Sequence, residues 1–221
     1  MTFEKQVLEV DSVLLEYGNK RILQDIYLKV ETRKITGLLG RNGSGKSCLM
    51  RIIFGELSPL NKHVRINAKP ILRQEQLLKH FSYLPQKSFI PGHLRLRTVM
   101  KHFEVSFDQF QAHFPEYSAH YNTRAEKLSG GQKRILEIFI VLKSSKPFCL
   151  LDEPFSQVSP LQSEKIQALI QEVKPTKGIL ITDHQYQYVT EICDELYFLK
   201  DGKTHLTNDI VNLEKLGYVK F

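Results

Sequence analysis

Residues 7–17, VLEVDSVLLEY, alternate apolar and polar positions, and residues 22–30, ILQDIYLKV, form a second β-rich run beyond the turn-like GNKR. A period of two marks half-buried strands, so the pair predicts an antiparallel hairpin. Residues 34–40, KITGLLG, predict a further strand that runs directly into glycines. The next segment, KSCLMRIIFG, repeats its apolar positions at helical spacing until Gly55 breaks the pattern. The order is strand, glycine loop, helix.

After SPL, the basic HVRIN is a strand candidate, followed by FSYLPQ at residues 81–86. From there to about Glu126 the chain is rich in Lys, His and Phe, and its periodicity is weak and at best helical. From Ser129, SGGQKRILEIFIVLKSS predicts a helix with Ile135, Ile138, Phe139 and Leu142 on one face. The last third alternates FCLLDE as strand, 161–173 as helix, GILITD as strand, 185–193 as helix and ELYFLK as strand, with a DG turn at 201–202. Such alternation predicts an α/β core with a mainly parallel sheet. No internal repeat or low-complexity tract interrupts it.

At 221 residues and 42% hydrophobic, the chain is long enough for a full core, as one domain or as a core with a subdomain. No apolar stretch approaches the roughly 18 residues that span a bilayer. The start, MTFEKQVLEVD, has neither the basic end nor the apolar centre of a secretion signal, so a membrane link is expected to come through another chain. Three scattered cysteines and eight histidines without ligand-like spacing suggest neither a disulfide framework nor a zinc site, and a reducing cytoplasm fits best. A net charge of +7 suits an acidic partner, and most of it is expected to be solvated surface. The small basic cluster HLRLR at 93–97 has no accompanying aromatic pattern of a nucleic-acid binder.

Chemistry enters at GRNGSGKS, residues 40–47, which fits G-x-x-x-x-G-K-[ST] between a predicted strand and a predicted helix. Gly40, Arg41, Asn42 and Gly43 open a loop whose backbone amides can point at phosphate oxygens. Ser44, Gly45, Lys46, Ser47 and Cys48 close it at a helix start, where partial positive charge favours an anion. Lys46 supplies a cation for the outer phosphates, and Ser47 can ligate Mg²⁺. A second stretch, KPFCLLDEPFSQVSP from residue 146, ends an apolar run in two adjacent acids. Buried acids need a cation or a reaction to serve. Asp152 is the expected Mg²⁺ anchor. Glu153, projecting to the opposite side of an extended chain, is expected to face the γ-phosphate and polarise the attacking water.

KLSGGQKR, residues 127–134, lies between these two elements, and with it the chain resembles the ATP-binding cassette (ABC) ATPases over essentially its whole length. The resemblance implies a P-loop NTPase (RecA-like) core with a mainly parallel sheet, an antiparallel β subdomain and a small helical subdomain at about 87–146. It implies one cassette over residues 1–221 that hydrolyses Mg-ATP in a head-to-tail dimer. Ser129, Gly130, Gly131 and Gln132 would then serve the nucleotide of the second cassette. Tyr17 falls where the family stacks an aromatic ring on adenine, and Gln86 matches the glutamine that touches Mg²⁺ and water while sensing a membrane partner. His184 matches the histidine that contacts the γ-phosphate. One position departs: Ser159 stands where the family usually has an aspartate after the paired acids, which bears on communication between the two nucleotide sites.

The leading expectation is the ATPase subunit of an ABC transporter, a homodimer or paired cassette held at the inner face of a membrane by separate permease subunits. Arg95 and Arg97 either line the surface that meets that partner or form a solvated face. The alternative is a soluble ABC ATPase acting on nucleic acid or the ribosome, though 221 residues leave no room for a second cassette or long coiled arms. Small-molecule kinases share the first glycine loop but lack the second.

Overall fold

The structure of the chain, a computed structural model, describes residues 5–207. Residues 1–4 and 208–221 of the expected cassette lie outside the described residues.

β1 (Val7–Tyr17) turns Leu8 and Val10, then Val13 and Leu15, into the core. The alternation slips at Ser12, which has a φ of 56°, and the pairing with β5 (Asn61–Ile66) shifts register between Asp11 and Leu14. The run expected as one partner strand over 22–30 is two strands, β2 (Lys20–Leu23) and β3 (Tyr27–Glu31), both antiparallel to β1. The break has a cause: the amides of Gln24 and Asp25 donate to Gly202 O, at 2.9 and 3.3 Å, and leave the hairpin ladder. With β6 (Lys69–Pro70) the antiparallel sheet has the order β2-β1-β5-β6, and β3 pairs with β1.

The main sheet is built from β4 (Ile35–Leu39), β7 (Phe81–Leu84), β8 (Phe148–Asp152), β9 (Gly178–Thr182), β10 (Glu195–Lys200) and β11 (Lys203–Thr207). Its order is β11-β10-β4-β9-β8-β7, parallel throughout except for β11. The predicted DG turn joins β10 to β11, with Asp201 at φ 50° and Gly202 at 78°. β4, β8 and β9 are buried at every residue, and their alternate side chains feed two cores. Phe148, Leu150 and Leu180 join α1 (Lys46–Phe54) and the antiparallel sheet, whereas Cys149, Leu151, Ile179 and Ile181 join the helical layer opposite. Since β4, β7, β8 and β9 run parallel, the loops after them gather at one edge of the sheet.

α5 (Gly130–Lys143) was expected to bury one face, but residues 134–142 are all buried. The helix packs against β7, β8 and α6 (Pro160–Val173), and its Phe139 meets Phe110 at 5.0 Å. The Lys-, His- and Phe-rich stretch contains two short helices, α3 (Leu96–His102) and α4 (Phe107–His113), and 3₁₀ segments Pro115–His120 and Ala125–Lys127. Aromatic packing of buried Phe110, Phe114 and Tyr117 holds it, which explains its weak period. α2 (Gln74–His80) matches no expected element, and α7 (Tyr186–Thr190) is shorter than the expected 185–193. Among the described residues no helix is long and apolar enough to cross a membrane.

At the end of β3, Glu31 is buried and pairs with Lys29, Lys5 and Lys34 at 2.5, 2.8 and 3.1 Å. The hydrogen bond from Lys29, then that from Lys5, holds its carboxyl at about 2. A depressed value stabilises the fold above the unfolded value near 4.5, and this is lost as pH falls towards 2. Glu31→Gln is therefore expected to lower stability at neutral pH and to flatten the acid limb in that window. Urea midpoints measured against pH would check this; parallel curves for the two proteins would show that the cluster contributes nothing.

Candidate functional site

The loop between β4 and α1 curls because glycine permits it. Gly45 sits at φ 106°, and a Cβ there would lie 2.9 Å from Leu23 Cδ2, so neither backbone nor space admits a side chain. Lys46 folds back over the loop and donates to Gly40 O at 2.7 Å and Arg41 O at 3.2 Å. Its ammonium is buried, which pushes its pKa down, while Glu153, Asp152 and Asp183 act in the opposite direction.

Beside it, Ser47 Oγ donates to Asp152 Oδ1 at 3.1 Å, and Gln86 Nε2 donates to Ser47 Oγ at 3.0 Å and to Glu153 Oε1 at 2.8 Å. Tyr83 O–H donates to the other Asp152 oxygen at 3.3 Å. Burial first, with the nearby Glu153 charge, raises the Asp152 carboxyl to about 6 although Ser47 and Tyr83 hydrogen-bond it. Burial, and then Asp152, in turn raises the Tyr83 phenol. Such a site favours an added cation. Its oxygen donors, Ser47 Oγ and Asp152, suit a hard divalent ion, and Gln86 stands beside them with its Nε2 turned to Ser47.

Glu153 corrects the sequence reading. The strand ends at Asp152, and Glu153 is not extended: its φ is 52°, with its amide donating to Thr182 O at 2.8 Å. This left-handed turn, rather than strand alternation, brings its carboxylate to Gln86. His184 Nδ1 lies 3.7 Å from Glu153 Oε2 and 3.4 Å from Asp183 Oδ1. Asp183 is buried and accepts from the amides of Phe155 and Gln185, both at 2.9 Å.

A cleft of about 580 Å³ brings together Tyr17, Asn42, Gly43, Gly45, Lys46, Ser47 and Cys48 with Gln86, Glu153 and His184. Tyr17 is 52% exposed, leaving a ring face available. Arg41 and Ser44 line an adjoining cleft of about 430 Å³, with Asn42 and Gly43 common to both. Residues 129–132 do not line the first cleft. Ser129 instead caps α5, accepting from Gln132 N at 3.1 Å, while Gln132 Oε1 accepts from Ser129 N at 2.9 Å. Gly131 has a local reason to be glycine, since a Cβ would lie 2.7 Å from Gln157 O. Ser129 and Gly130 are exposed. Tyr83, Asp183 and Arg134 were missed by sequence reasoning. Asp183 carried a signal: like Asp152, it follows a short, mostly apolar run.

A parallel sheet whose strand ends present a phosphate-cradling loop, a buried acid, a second acid and a glutamine defines a phosphate-loop nucleotide hydrolase. The chain belongs to the ABC transporter family, whose profile matches residues 23–156, and it is an ATPase of that family. It is similar to the lipopolysaccharide export system ATP-binding protein LptB of Acidithiobacillus ferridurans, 30% identical over 212 residues that cover 90% of this chain and 88% of that one. The thiamine import ATP-binding protein ThiQ of Vibrio parahaemolyticus is 28% identical, covering 92% of each. A solved ATP-binding subunit of an ABC transporter has the same fold, with a TM-score of 0.81 at 22% identity over 96% of this chain and 94% of that one.

Proposed function

We propose that the chain is the ATP-hydrolysing subunit of a transporter, that two cassettes close head to tail over two Mg-ATP, and that separate membrane subunits carry the cargo. The carrying observation is the convergence of Ser47, Asp152, Gln86 and Glu153 through hydrogen bonds of 2.8 to 3.1 Å. In this reading Tyr17 stacks on the base, and Lys46 with the loop amides holds the phosphates. Ser47, Asp152 and Gln86 hold Mg²⁺, which would neutralise charge on the phosphate oxygens. Glu153 polarises water, Gln86 keeps that carboxylate in place, and His184 donates to the outermost phosphate. The exposed start of α5, with Ser129 and Gly130, serves the partner cassette's nucleotide.

A groove of about 620 Å³ adjoins Gln86 and is lined by Phe54, Phe81, Tyr83, Pro85, Phe89 and Phe103 among others. It suits an apolar segment of a membrane subunit, which would hold the chain at the inner face of the membrane. Isolation of the native complex through a tag on this chain is expected to yield a multi-span protein. Recovery with ribosomes instead would contradict the transporter reading.

Ser159 accepts from Gln162 N at 3.4 Å as the cap of α6. Aspartate caps helices equally well, so Ser159→Asp leaves the helix intact while adding charge to the loop that faces the second cassette. A charge-assisted contact there would favour the closed dimer by about 1 kcal/mol, roughly fivefold. The expected result is a steeper dependence of ATPase rate on ATP concentration with unchanged affinity of the monomer. Identical rate curves and identical dimerisation would remove Ser159 from the coupling.

A further inference from the structure

We propose that Arg134 and Glu137, one turn apart on α5, are positioning residues that clamp both flanks of Gln86 and the backbone of the acid turn to the helix that begins at Ser129. The inference rests on the reading of Gln86 and Glu153 as hydrolytic groups.

Arg134 is buried and reaches two separate segments. Its Nη1 donates to Pro85 O at 2.6 Å, and its Nη2 donates to Asp152 O at 2.6 Å and Glu153 O at 2.9 Å. Glu137, 1% exposed, holds the other flank. Its Oε1 accepts from Ser88 Oγ and from the amides of Phe89 and Ile90 at 3.0 and 3.3 Å. The two charges lie 3.9 Å apart. Gln86 is thus bracketed, with Pro85 tied to one residue of α5 and residues 88–90 tied to the next turn.

This arrangement exceeds what fold stability asks of a helix. An aliphatic pair at 134 and 137 would bury as well, and a buried ion pair is often no more stabilising than such a replacement. Burial pushes the Arg134 guanidinium down, opposed first by Glu137 and then by Asp152. What an apolar pair cannot do is hold the carbonyls of Asp152 and Glu153 and that of Pro85 in one planar fork. A shift of α5 is therefore passed to Gln86 and Glu153 together, and the start of α5 is the part that meets the second cassette. Presence or absence of that cassette would set where Gln86 and the carboxylate that orients water stand, as a pair, relative to the phosphate loop.

Arg134→Lys keeps the charge but cannot span the three carbonyls, and Glu137→Ala frees residues 88–90. In the full chain each is expected to lower kcat by about 10- to 100-fold, as small misplacements of reacting groups do, while the Kd for ATP changes less than about twofold. Glu137→Gln retains an oxygen acceptor and should recover most of the rate. The Arg134→Lys/Glu137→Ala double variant should be no slower than the worse single variant, because both act on one loop. Glu153→Gln is measured beside them. Turnover that Glu153→Gln abolishes, but that folded Arg134→Lys and Glu137→Ala retain at the wild-type rate, overturns the clamp alone. Equal losses in kcat, ATP affinity and melting temperature also overturn it, since that pattern is a purely structural role. Absence of Mg-ATP turnover in the wild-type chain overturns the clamp and the function on which it rests.

Discussion

Glu153→Gln is expected to bind Mg-ATP as tightly as the wild-type chain and to hydrolyse it about 10²- to 10⁴-fold more slowly. The amide keeps the side chain's size and leaves Oε1 able to accept the 2.8 Å bond from Gln86 Nε2. It keeps the backbone at its φ of 52° as readily as glutamate does, so the turn after β8 stays in place. What disappears is the negative charge that orients and polarises water. Single-turnover rates and calorimetric affinity separate the two effects: loss in kcat alone marks a group that acts in the transition state. Turnover at the wild-type rate would place the base elsewhere.

Lys46→Ala should act on binding instead, lowering affinity for Mg-ATP by about 100-fold, roughly 3 kcal/mol. The loop amides remain, but the cation over the phosphate cradle is gone, and charge-assisted contacts are the stronger ones. Without nucleotide, that ammonium is spent on two backbone carbonyls, Gly40 O and Arg41 O, in a setting that disfavours its charge. The fold should therefore lose little when it is removed. Calorimetry would show the loss and thermal melting the intact fold. Unchanged affinity would refute the role.

Much of this site was legible because its parts sit where short, mostly apolar strands stop. KITGLLG and FCLLDE each give a strand of five buried residues followed by chemistry, and parallel pairing brings those ends together without further instruction. The orientation of Glu153 was not legible. Alternation along a strand says nothing once the chain leaves it, and a positive φ at glutamate has no sequence signal. The division of residues 22–30 was hidden for another reason, since it depends on Gly202, far along the chain. Nothing in FSYL singles out Tyr83, and its bond to Asp152 follows from the pairing of β7 with β8. Arg134 lay within a helix read as amphipathic, where a basic residue is ordinarily solvated. Only burial of α5 on all sides over residues 134–142 gives it backbone partners. The run at 129–132 was visible as a helix start, and its place outside the first cleft fits a role that a second chain completes.

The most direct measurement is sedimentation equilibrium of the Glu153→Gln chain with and without Mg-ATP, alongside a count of bound nucleotide. Hydrolysis at a site shared by two cassettes predicts a single chain in the absence of nucleotide and, with it, a particle of twice that mass holding two ATP. One ATP bound per chain in a particle that keeps the mass of one chain at saturating nucleotide would contradict the account.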